Sequence, residues 1–253
     1  MNELDINNPQ LPDFIVPGAD EKKQDEPAKI KVIGVGGGGG NAVNHMYHQG
    51  IGGVSFVLCN TDAQALRNSP VPVKVQLGAK GEGAGNIPEV AKKLAEESAA
   101  EVEALFDDNT RMAFITAGMG GGTGTGAAPV VARIAKEKGV LTVGIVTIPF
   151  LFEGEPKILQ AFAGVEEMRK HVDALLVINN ERLCKIYPDL SWTTAFAKAD
   201  DSLSNAARSI AELVSKDGKI NLDFADVRTT LKDGGAAVIS TGSGEGEHRM
   251  SRA

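Results

Sequence analysis

The stretch "AGMGGGTGTGAAP", which runs from Ala117 to Pro129, decides the fold class because of its neighbours in the chain. Six of its thirteen residues are glycine, yet it lies between the apolar segments "RMAFIT" and "VVARIAKEKGV". The first segment is a short apolar run that predicts a buried strand, and the second has apolar residues at helical spacing. The glycine-rich stretch is therefore predicted to join a strand to the helix that crosses back over the sheet.

The rest of the chain repeats this alternation of strands and helices. Further strands are predicted at "IKVIGV", "VSFVLC", "VPVKVQL", "LTVGIVTIP" and "ALLVIN", with helical patterns between them. This alternation is typical of an α/β fold, in which a Rossmann-like parallel sheet carries helices on both faces. Such sheets bind ligands beyond the carboxyl ends of their strands. We therefore expect functional residues in the loops that follow the strands.

Composition narrows the class of protein. The 253 residues are 42% hydrophobic and 23% charged, which is ordinary for a globular protein with a sizeable core. The net charge of −7 argues against nucleic acid and acidic membranes as partners, because phosphate backbones select basic surfaces. No apolar run reaches membrane-spanning length, the amino terminus lacks a signal-peptide pattern, and Cys59 and Cys184 have no metal-type spacing. These features predict a cytoplasmic protein with no metal site built from side chains.

Two glycine segments follow predicted strands and open predicted helices. The first glycine segment is "GVGGGGGN", residues 34–41, and the second is "GGGTGTG", residues 120–126. Backbone N–H groups at a helix start are free and carry partial positive charge, and glycines let a phosphate approach them. Thr123 and Thr125 add hydroxyl donors to the second segment. Two such segments on adjacent strands suit a nucleotide with a long phosphate tail.

Polar residues also follow the other strands. They are Asn60, Asp62, Glu153, Lys157, Asn179 and Asn180, together with a third glycine-rich segment at residues 81–86. Glu153 can accept from a ribose hydroxyl, Lys157 can contact a phosphate, and residues 81–86 can reach the terminal phosphate. Each of these residues alone is equally typical of a helix cap or an exposed turn.

The first glycine segment leaves a second interpretation open. Gly34, Gly36 and Gly39 satisfy the G-x-G-x-x-G pattern, which favours a Rossmann oxidoreductase that uses a dinucleotide. Such an enzyme needs one phosphate-binding loop, so the second glycine segment disfavours this alternative. The G-x-x-x-x-G-K-[S/T] pattern is absent from the sequence, which excludes an ordinary P-loop NTPase.

Five motifs together identify a family resemblance. "GVGGGGGNAVN", "CNTDAQAL", "AGMGGGTGTGAAP", "PFLFEG" and "NLDFADVRT", in this order, closely resemble the cell-division GTPases of the tubulin/FtsZ family, from about Lys29 onward. The resemblance implies a GTP- or GDP-binding domain with a long central helix, Mg²⁺ at the phosphates, and head-to-tail filaments. It also implies a cytoplasmic division ring at mid-cell and division-ring partners, with no direct membrane insertion.

The resemblance and the loop residues together assign the nucleotide site. The assigned residues are Gly36, Gly37, Gly38, Asn41, Asn44, Asp62, Gly83, Ala84, Gly85, Gly120, Gly121, Gly122, Thr123, Gly124, Thr125, Gly126, Glu153, Lys157, Asn180, Phe196 and Asp200. By resemblance, Asn180 contacts guanine, Phe196 stacks on it, and Asp200 reads it. A carboxylate can accept from guanine N1–H and from its amine, and adenine offers no such pair of donors.

The motif "NLDFAD" carries the residues to which the resemblance assigns hydrolysis: Asn221, Asp223 and Asp226. In the family these residues orient the attacking water over the GTP of the next subunit, not of their own. By spacing alone, two acids three apart at a helix start are more typical of residues favoured by the helix dipole.

The resemblance also predicts how the chain is organised. Residues 1–28 are polar and charge-dense, which predicts a disordered arm. A GTP-binding domain is expected at 29–192, a central helix at 193–215, a catalytic loop with its following helix at 216–233, and the start of a truncated second α+β domain at 234–253. Family members continue with that domain and with a peptide that binds partner proteins. A truncated nucleotide-binding module without turnover is therefore an alternative to an active GTPase.

Overall fold

The computed structural model describes residues 29–187, 189, 191–215, 224–238 and 246–247. They form one parallel seven-stranded sheet in the order β3-β2-β1-β4-β5-β6-β7. The strands are β1 Lys29–Val35, β2 Val54–Asn60, β3 Val73–Gln76, β4 Thr110–Gly118, β5 Leu141–Ile148, β6 Ala174–Asn179 and β7 Gly235–Ala236. The helices are α1 Gly36–His48, α2 Ala63–Arg67, α3 Pro88–Glu97, α4 Ala99–Ala104, α5 Gly122–Glu137, α6 Glu155–Arg169, α7 Asn180–Ile186, α8 Trp192–Ser215 and α9 Phe224–Leu231, with a 3₁₀ turn at Leu151–Glu153.

The central strands are apolar because both of their faces are covered. All eight residues of β5 are buried. One face of the sheet forms an apolar cluster that includes Ile115 of β4 and Val131 of α5. The opposite cluster includes Phe114 and Leu203, the latter on α8. The predicted α/β fold, with helices on both faces and a long helix after β6, is confirmed.

The order of the strands places the two glycine segments side by side. The sheet grows from β1 toward β2 in one direction and toward β4 in the other. Val35, the last residue of β1, pairs with Ala117 of β4, so α1 and α5 both begin at the same edge of the sheet. Parallel sheets bind ligands at such a reversal of strand order, beyond the carboxyl ends.

Both glycine segments are more helical than the sequence indicates. Helix α1 begins at Gly36 and α5 at Gly122, whereas helical patterns predict starts near residues 41 and 126. A Cβ on Gly39 would overlap the carbonyl oxygen of Thr116, and one on Gly124 would overlap that of Gly118. Part of each segment is therefore glycine because the helix lies against β4, and ligand access alone does not explain the run.

Two predicted elements differ in extent. The helix predicted over residues 88–106 is divided into α3 and α4 at Ser98, whose hydroxyl accepts a hydrogen bond from the Gly78 N–H at 2.8 Å. The strand predicted at 236–241 is observed as Gly235–Ala236, while residues 239–241 lie outside the described part of the chain. None of the helices within the described ranges is long and apolar enough to cross a membrane.

Candidate nucleotide-binding site

A cavity of about 490 Å³ opens at the carboxyl edge of the sheet, where α1 and α5 begin. Its other walls come from the segment after β5, the start of α7 and one face of α8. Many of the residues predicted from the sequence line it together. They are Gly37, Gly38, Asn41, Gly121, Gly122, Thr123, Gly124, Glu153, Lys157, Asn180, Phe196 and Asp200.

The helix starts on this cavity have free donors. Within the described part of the chain, neither α1 nor α5 has a side-chain N-cap hydrogen bond or an acidic residue in its first turn. In contrast, α2 is capped by Asp62 and α7 by Asn179. The positive ends of α1 and α5 are thus uncompensated by side chains, and both face one cavity. An anion is the ligand that this arrangement favours.

The second glycine segment is fixed in place by its own side chains and by α6. The hydroxyl of Thr125 is buried and accepts from the Gly120 N–H at 2.9 Å. The side-chain amide of Gln160 donates to the carbonyl oxygens of Gly120 and Gly121 at 3.0 and 3.2 Å. Thr123 lines the cavity and its hydroxyl lies 2.7 Å from that of Thr61. Of the two threonines, Thr123 therefore lines the cavity and Thr125 holds the loop.

The far end of the cavity carries acceptors. Asn180 is buried, and its Oδ1 has no hydrogen-bond partner among the residues that the structure describes. A buried amide oxygen without a partner is costly, so Asn180 marks this end of the cavity as a candidate ligand contact. Asp200 lines the same end. Burial raises the pKa of the Asp200 carboxyl to about 6, an effect that the charge of His45 opposes and that of Asp201 reinforces.

An aromatic group stands beside these acceptors. The ring of Phe196 is 43% exposed and lies edge-on to Phe150 and Phe152, with centroids 5.2 and 6.1 Å away. Phe150 and Phe152 are themselves stacked at 4.8 Å. An exposed ring held by two others offers a flat apolar surface to a planar ligand.

Glu153 and Lys157 also line the cavity. Glu153 accepts from the Phe150 N–H at 3.0 Å and forms an ion pair with Lys157 at 3.3 Å. The pair keeps both side chains at the wall between the glycine segments and the aromatic group. A ligand that extends from the glycine segments to the aromatic rings therefore passes the Glu153 carboxylate and the Lys157 ammonium group.

Some predicted residues lie outside the lining of the cavity. They are Gly36, Asn44, Asp62, Gly83, Ala84, Gly85, Gly120, Thr125 and Gly126. Asn44 instead accepts from the Ser69 hydroxyl, and Asp62 accepts from the N–H groups of α2. Ala84 belongs to the apolar core, and a Cβ on Gly126 would overlap the Pro88 carbonyl. These residues shape the loops around the cavity. Asn221 and Asp223 lie outside the described residues.

Sequence analysis missed several lining residues. They are Gly118, Met119, Thr147, Pro149, Ala199 and Leu203. Ala199 and Leu203 follow Phe196 by three and seven residues, so helical spacing alone places them on the same face of α8. Asn86, the last residue of the third glycine-rich segment, also lines the cavity, and its backbone φ is 62°.

Comparison with known proteins gives a consistent result. Residues 29–188 match the family described as "Tubulin/FtsZ family, GTPase domain". The chain is 66% identical over 231 residues to the cell division protein FtsZ of Porphyromonas gingivalis, covering 90% of this chain and 50% of that relative. It is 50% identical over 226 residues to FtsZ of Wigglesworthia glossinidia brevipalpis, covering 88% of this chain and 59% of that one. The chain spans about half the length of these curated relatives.

Solved structures show the same relationship. An empty FtsZ dimer from M. jannaschii matches with a TM-score of 0.80 and 45% identity, over 84% of this chain and 63% of that one. A GTPγS-bound protofilament of CetZ2 from Haloferax volcanii matches with a TM-score of 0.70 and 25% identity, over 82% and 64%. The sequence match over residues 29–188, the shared fold and the cavity at the strand reversal agree, and the chain belongs to the Tubulin/FtsZ family.

Proposed function

We propose that the chain binds GTP and GDP in this cavity and hydrolyses GTP when subunits assemble head to tail, as part of a cytoplasmic cell-division filament at mid-cell. The observation that carries the proposal is the pairing of two uncapped helix starts with a buried acceptor end in one cavity. A guanosine polyphosphate has the matching order of groups, with anionic phosphates at one end and N–H donors at the other.

Each part of the nucleotide has a binding group. The phosphates bind the main-chain N–H groups of Gly37, Gly38 and residues 121–124, with Lys157 adding a positive charge. Glu153 accepts from a ribose hydroxyl. At the base, Asp200 accepts from guanine N1–H and its amine.

The residues proposed to contact the base explain selectivity for guanine over adenine. A second residue, Asn180, lines the same cavity, and among the described residues its buried Oδ1 has no hydrogen-bond partner. Adenine presents an acceptor at N1 where guanine has a donor, so its binding would leave the half-buried Asp200 carboxylate unpaired and is strongly disfavoured. The phosphates make the site bind nucleotides, and the carboxylate at Asp200 selects guanine among them.

The residues at the phosphate end of the cavity are compatible with Mg²⁺ held mainly by the phosphates. Within the described residues there is no group of three or more His, Cys, Asp or Glu side chains that can hold a metal ion. Mg²⁺ is typically bound by phosphate oxygens and water with few protein ligands. Thr123 offers a hydroxyl at the phosphate end of the cavity. Mg²⁺, when bound, neutralises part of the phosphate charge.

The position of α9 supports hydrolysis between subunits. The Arg111 guanidinium at the start of β4 lies 4.3 Å above the Phe224 ring, and Arg228 donates to the Gly139 carbonyl just before β5. Helix α9, which carries Asp226, is therefore fixed at the amino ends of the strands, while the cavity lies at their carboxyl ends. The nine residues of β4 separate these ends by roughly 26 Å. Asp226 accordingly acts on the nucleotide of a neighbouring subunit.

Mixing two variants tests this arrangement. Asp226→Ala keeps the nucleotide site and loses the acid, whereas Asp200→Asn keeps the acid and loses the base contact. Each alone is expected to be inactive in a phosphate-release assay. An equimolar mixture is expected to recover up to about a quarter of wild-type turnover, because random head-to-tail pairing forms that fraction of competent interfaces.

The controls separate three outcomes. Wild-type turnover is expected to rise faster than linearly with protein concentration, and Asp226→Ala is expected to bind GDP within about twofold of wild type. A mixture that stays inactive, beside an active wild type, contradicts action between subunits. A wild type that binds GTP and releases no phosphate identifies a nucleotide-binding module without turnover.

A further inference from the structure

The peptide between Gly120 and Gly121, in the second glycine segment, has a glycine on each side. Helix α5 begins at Gly122, so the hydrogen bonds of the helix do not fix this peptide. Gly120 has a backbone φ of 100°. Because neither residue has a Cβ, such a peptide can turn over at little steric cost. Its orientation is therefore set by contacts with other parts of the chain.

The side chain of Gln160 on α6 supplies such a contact. Its amide nitrogen donates to the Gly120 carbonyl at 3.0 Å and to the Gly121 carbonyl at 3.2 Å. Both partners are acceptors, so the nitrogen of the amide, and not its oxygen, must face the segment. Gln160 therefore holds the carbonyl of the peptide between Gly120 and Gly121 toward α6.

Close packing fixes α6 against the segment on both sides of this contact. A Cβ on Gly120 would lie 2.8 Å from the Lys157 carbonyl oxygen, and one on Gly164 would lie 2.5 Å from the Thr125 methyl carbon. Lys157, Gln160 and Gly164 are three and four residues apart, which places them on one face of α6. The Gln160 amide is thus presented by a helix face that is packed closely against the segment before and after it.

The fixed carbonyl determines where the neighbouring N–H points. In a planar trans peptide, the C=O of one residue and the N–H of the next point in opposite directions. Gln160 and Thr125 line a second cavity of about 430 Å³ between α3 and α6, whereas Gly121 lines the nucleotide cavity. The segment therefore separates the two cavities. With its carbonyl toward Gln160, the peptide directs the Gly121 N–H to the side of the nucleotide cavity.

We propose that Gln160 is a positioning residue for phosphate binding, which keeps the Gly121 N–H directed at the phosphates before a nucleotide binds. Without the Gln160 amide, the peptide is free to turn over and present its carbonyl oxygen to the phosphates, which repels them. Holding the peptide in advance lowers the cost of ordering it on binding. The inference rests on the proposed function, since it deepens the role of the second glycine segment at the same site.

Gln160→Met tests the inference, because methionine has a similar length and no donor. GDP affinity is measured by calorimetry, and guanosine affinity by competition with GDP, for wild type, Gln160→Met and Leu159→Met. Leu159→Met is the matched control, since Leu159 precedes Gln160 on the same helix and is 61% exposed. Gln160→Met is expected to bind GDP about tenfold more weakly than wild type, as for one charge-assisted hydrogen bond that is no longer preformed.

Guanosine distinguishes a positioning role from a merely structural one. It lacks the phosphates, so Gln160→Met is expected to bind it within about twofold of wild type, which also shows that the cavity is still folded. Leu159→Met is expected to bind both ligands within about twofold of wild type. An equal loss of affinity for GDP and guanosine, unchanged GDP affinity in Gln160→Met, or the same loss of GDP affinity in Leu159→Met overturns the role of Gln160.

A spectroscopic measurement separates this inference from the proposed function. The carbonyl ¹³C resonances of Gly120 and Gly121 in nucleotide-free protein respond to hydrogen bonds at these oxygens. They are expected to shift in Gln160→Met and to stay in place in Leu159→Met, and unshifted resonances in Gln160→Met overturn the role of Gln160. Failure of wild type to bind GDP contradicts the proposed function instead, and leaves these resonances to decide whether Gln160 fixes the peptide.

Discussion

Asp200→Asn is expected to lower the affinity for GDP by about 10²- to 10⁴-fold at pH 7.5, because a site built around a hydrogen-bonding group loses that much when the bond is lost. The asparagine amide offers one acceptor and one donor. Its donor would face the guanine amine or N1–H, so one hydrogen bond is replaced by a repulsive contact inside a half-buried site. Xanthosine diphosphate carries an oxygen in place of the amine and is expected to bind the variant better than it binds wild type.

Calorimetry with both diphosphates checks this prediction. Asp201→Asn is the matched control, since it removes the adjacent carboxylate, which contacts His45 and Lys198 and does not line the cavity. The control is expected to bind GDP within about threefold of wild type at pH 7.5, as is usual for exposed ion pairs. Wild-type GDP affinity in Asp200→Asn would show that this carboxylate does not read the base.

Asp200→Asn is also expected to stabilise the folded chain, although it weakens GDP binding. Because the pKa of Asp200 is raised from 3.8 to about 6, the folded chain holds a proton that the unfolded chain releases between these values. The contribution of Asp200 to stability therefore falls as pH rises through this window. Asp200→Asn is expected to have a higher free energy of unfolding than wild type at pH 7.5, and a smaller advantage at pH 4.5. Urea titrations at the two pH values measure both differences.

Gly37→Ala and Gly39→Ala, two positions apart on α1, are expected to have different defects. Gly39→Ala is expected to destabilise the fold, and Gly37→Ala to weaken GDP binding. A Cβ on Gly39 would overlap the Thr116 carbonyl of β4, and the atoms it meets are backbone rather than the end of a flexible side chain. We expect Gly39→Ala to lower the free energy of unfolding by about 3 kcal/mol or more, since overpacking of this kind is among the larger single-residue effects. A Cβ on Gly37 would meet no atom of the described residues within 4 Å.

Gly37→Ala should therefore fold normally and gain up to about 1 kcal/mol of stability from replacing a helical glycine. Its methyl group enters the space where the proposed phosphate contacts the α1 N–H groups, and GDP affinity is expected to fall by at least about tenfold, as for a lost charge-assisted hydrogen bond. Urea unfolding and GDP titration on both variants check the pair. Stable Gly39→Ala contradicts the packing argument, and unimpaired GDP binding by Gly37→Ala contradicts the phosphate position.

Structural features that are set by local sequence pattern can be predicted from the sequence, whereas few of those set by contacts between distant residues can. Strand and helix alternation predicts the parallel sheet, and the glycine segments predict where the cavity opens. Some of these glycines are required by packing against β4 and others by ligand access. The sequence does not distinguish them, because the clash at Gly39 involves Thr116, which lies far from it in the chain. The break at Ser98 likewise depends on Gly78. Phe196 and Asp200 were assigned to the base by family resemblance, whereas spacing alone shows only that they share a helix face.

The central claim is that main-chain N–H groups at the starts of α1 and α5 bind the phosphates of a guanine nucleotide. Isothermal titration of the wild-type chain with GDP, guanosine and NAD tests it most directly. We predict that GDP binds at least about 100-fold more tightly than guanosine, since several charge-assisted hydrogen bonds are absent from the nucleoside, and that NAD binds far more weakly than GDP. Guanosine binding as tightly as GDP, or NAD binding as tightly as GDP, would contradict the claim.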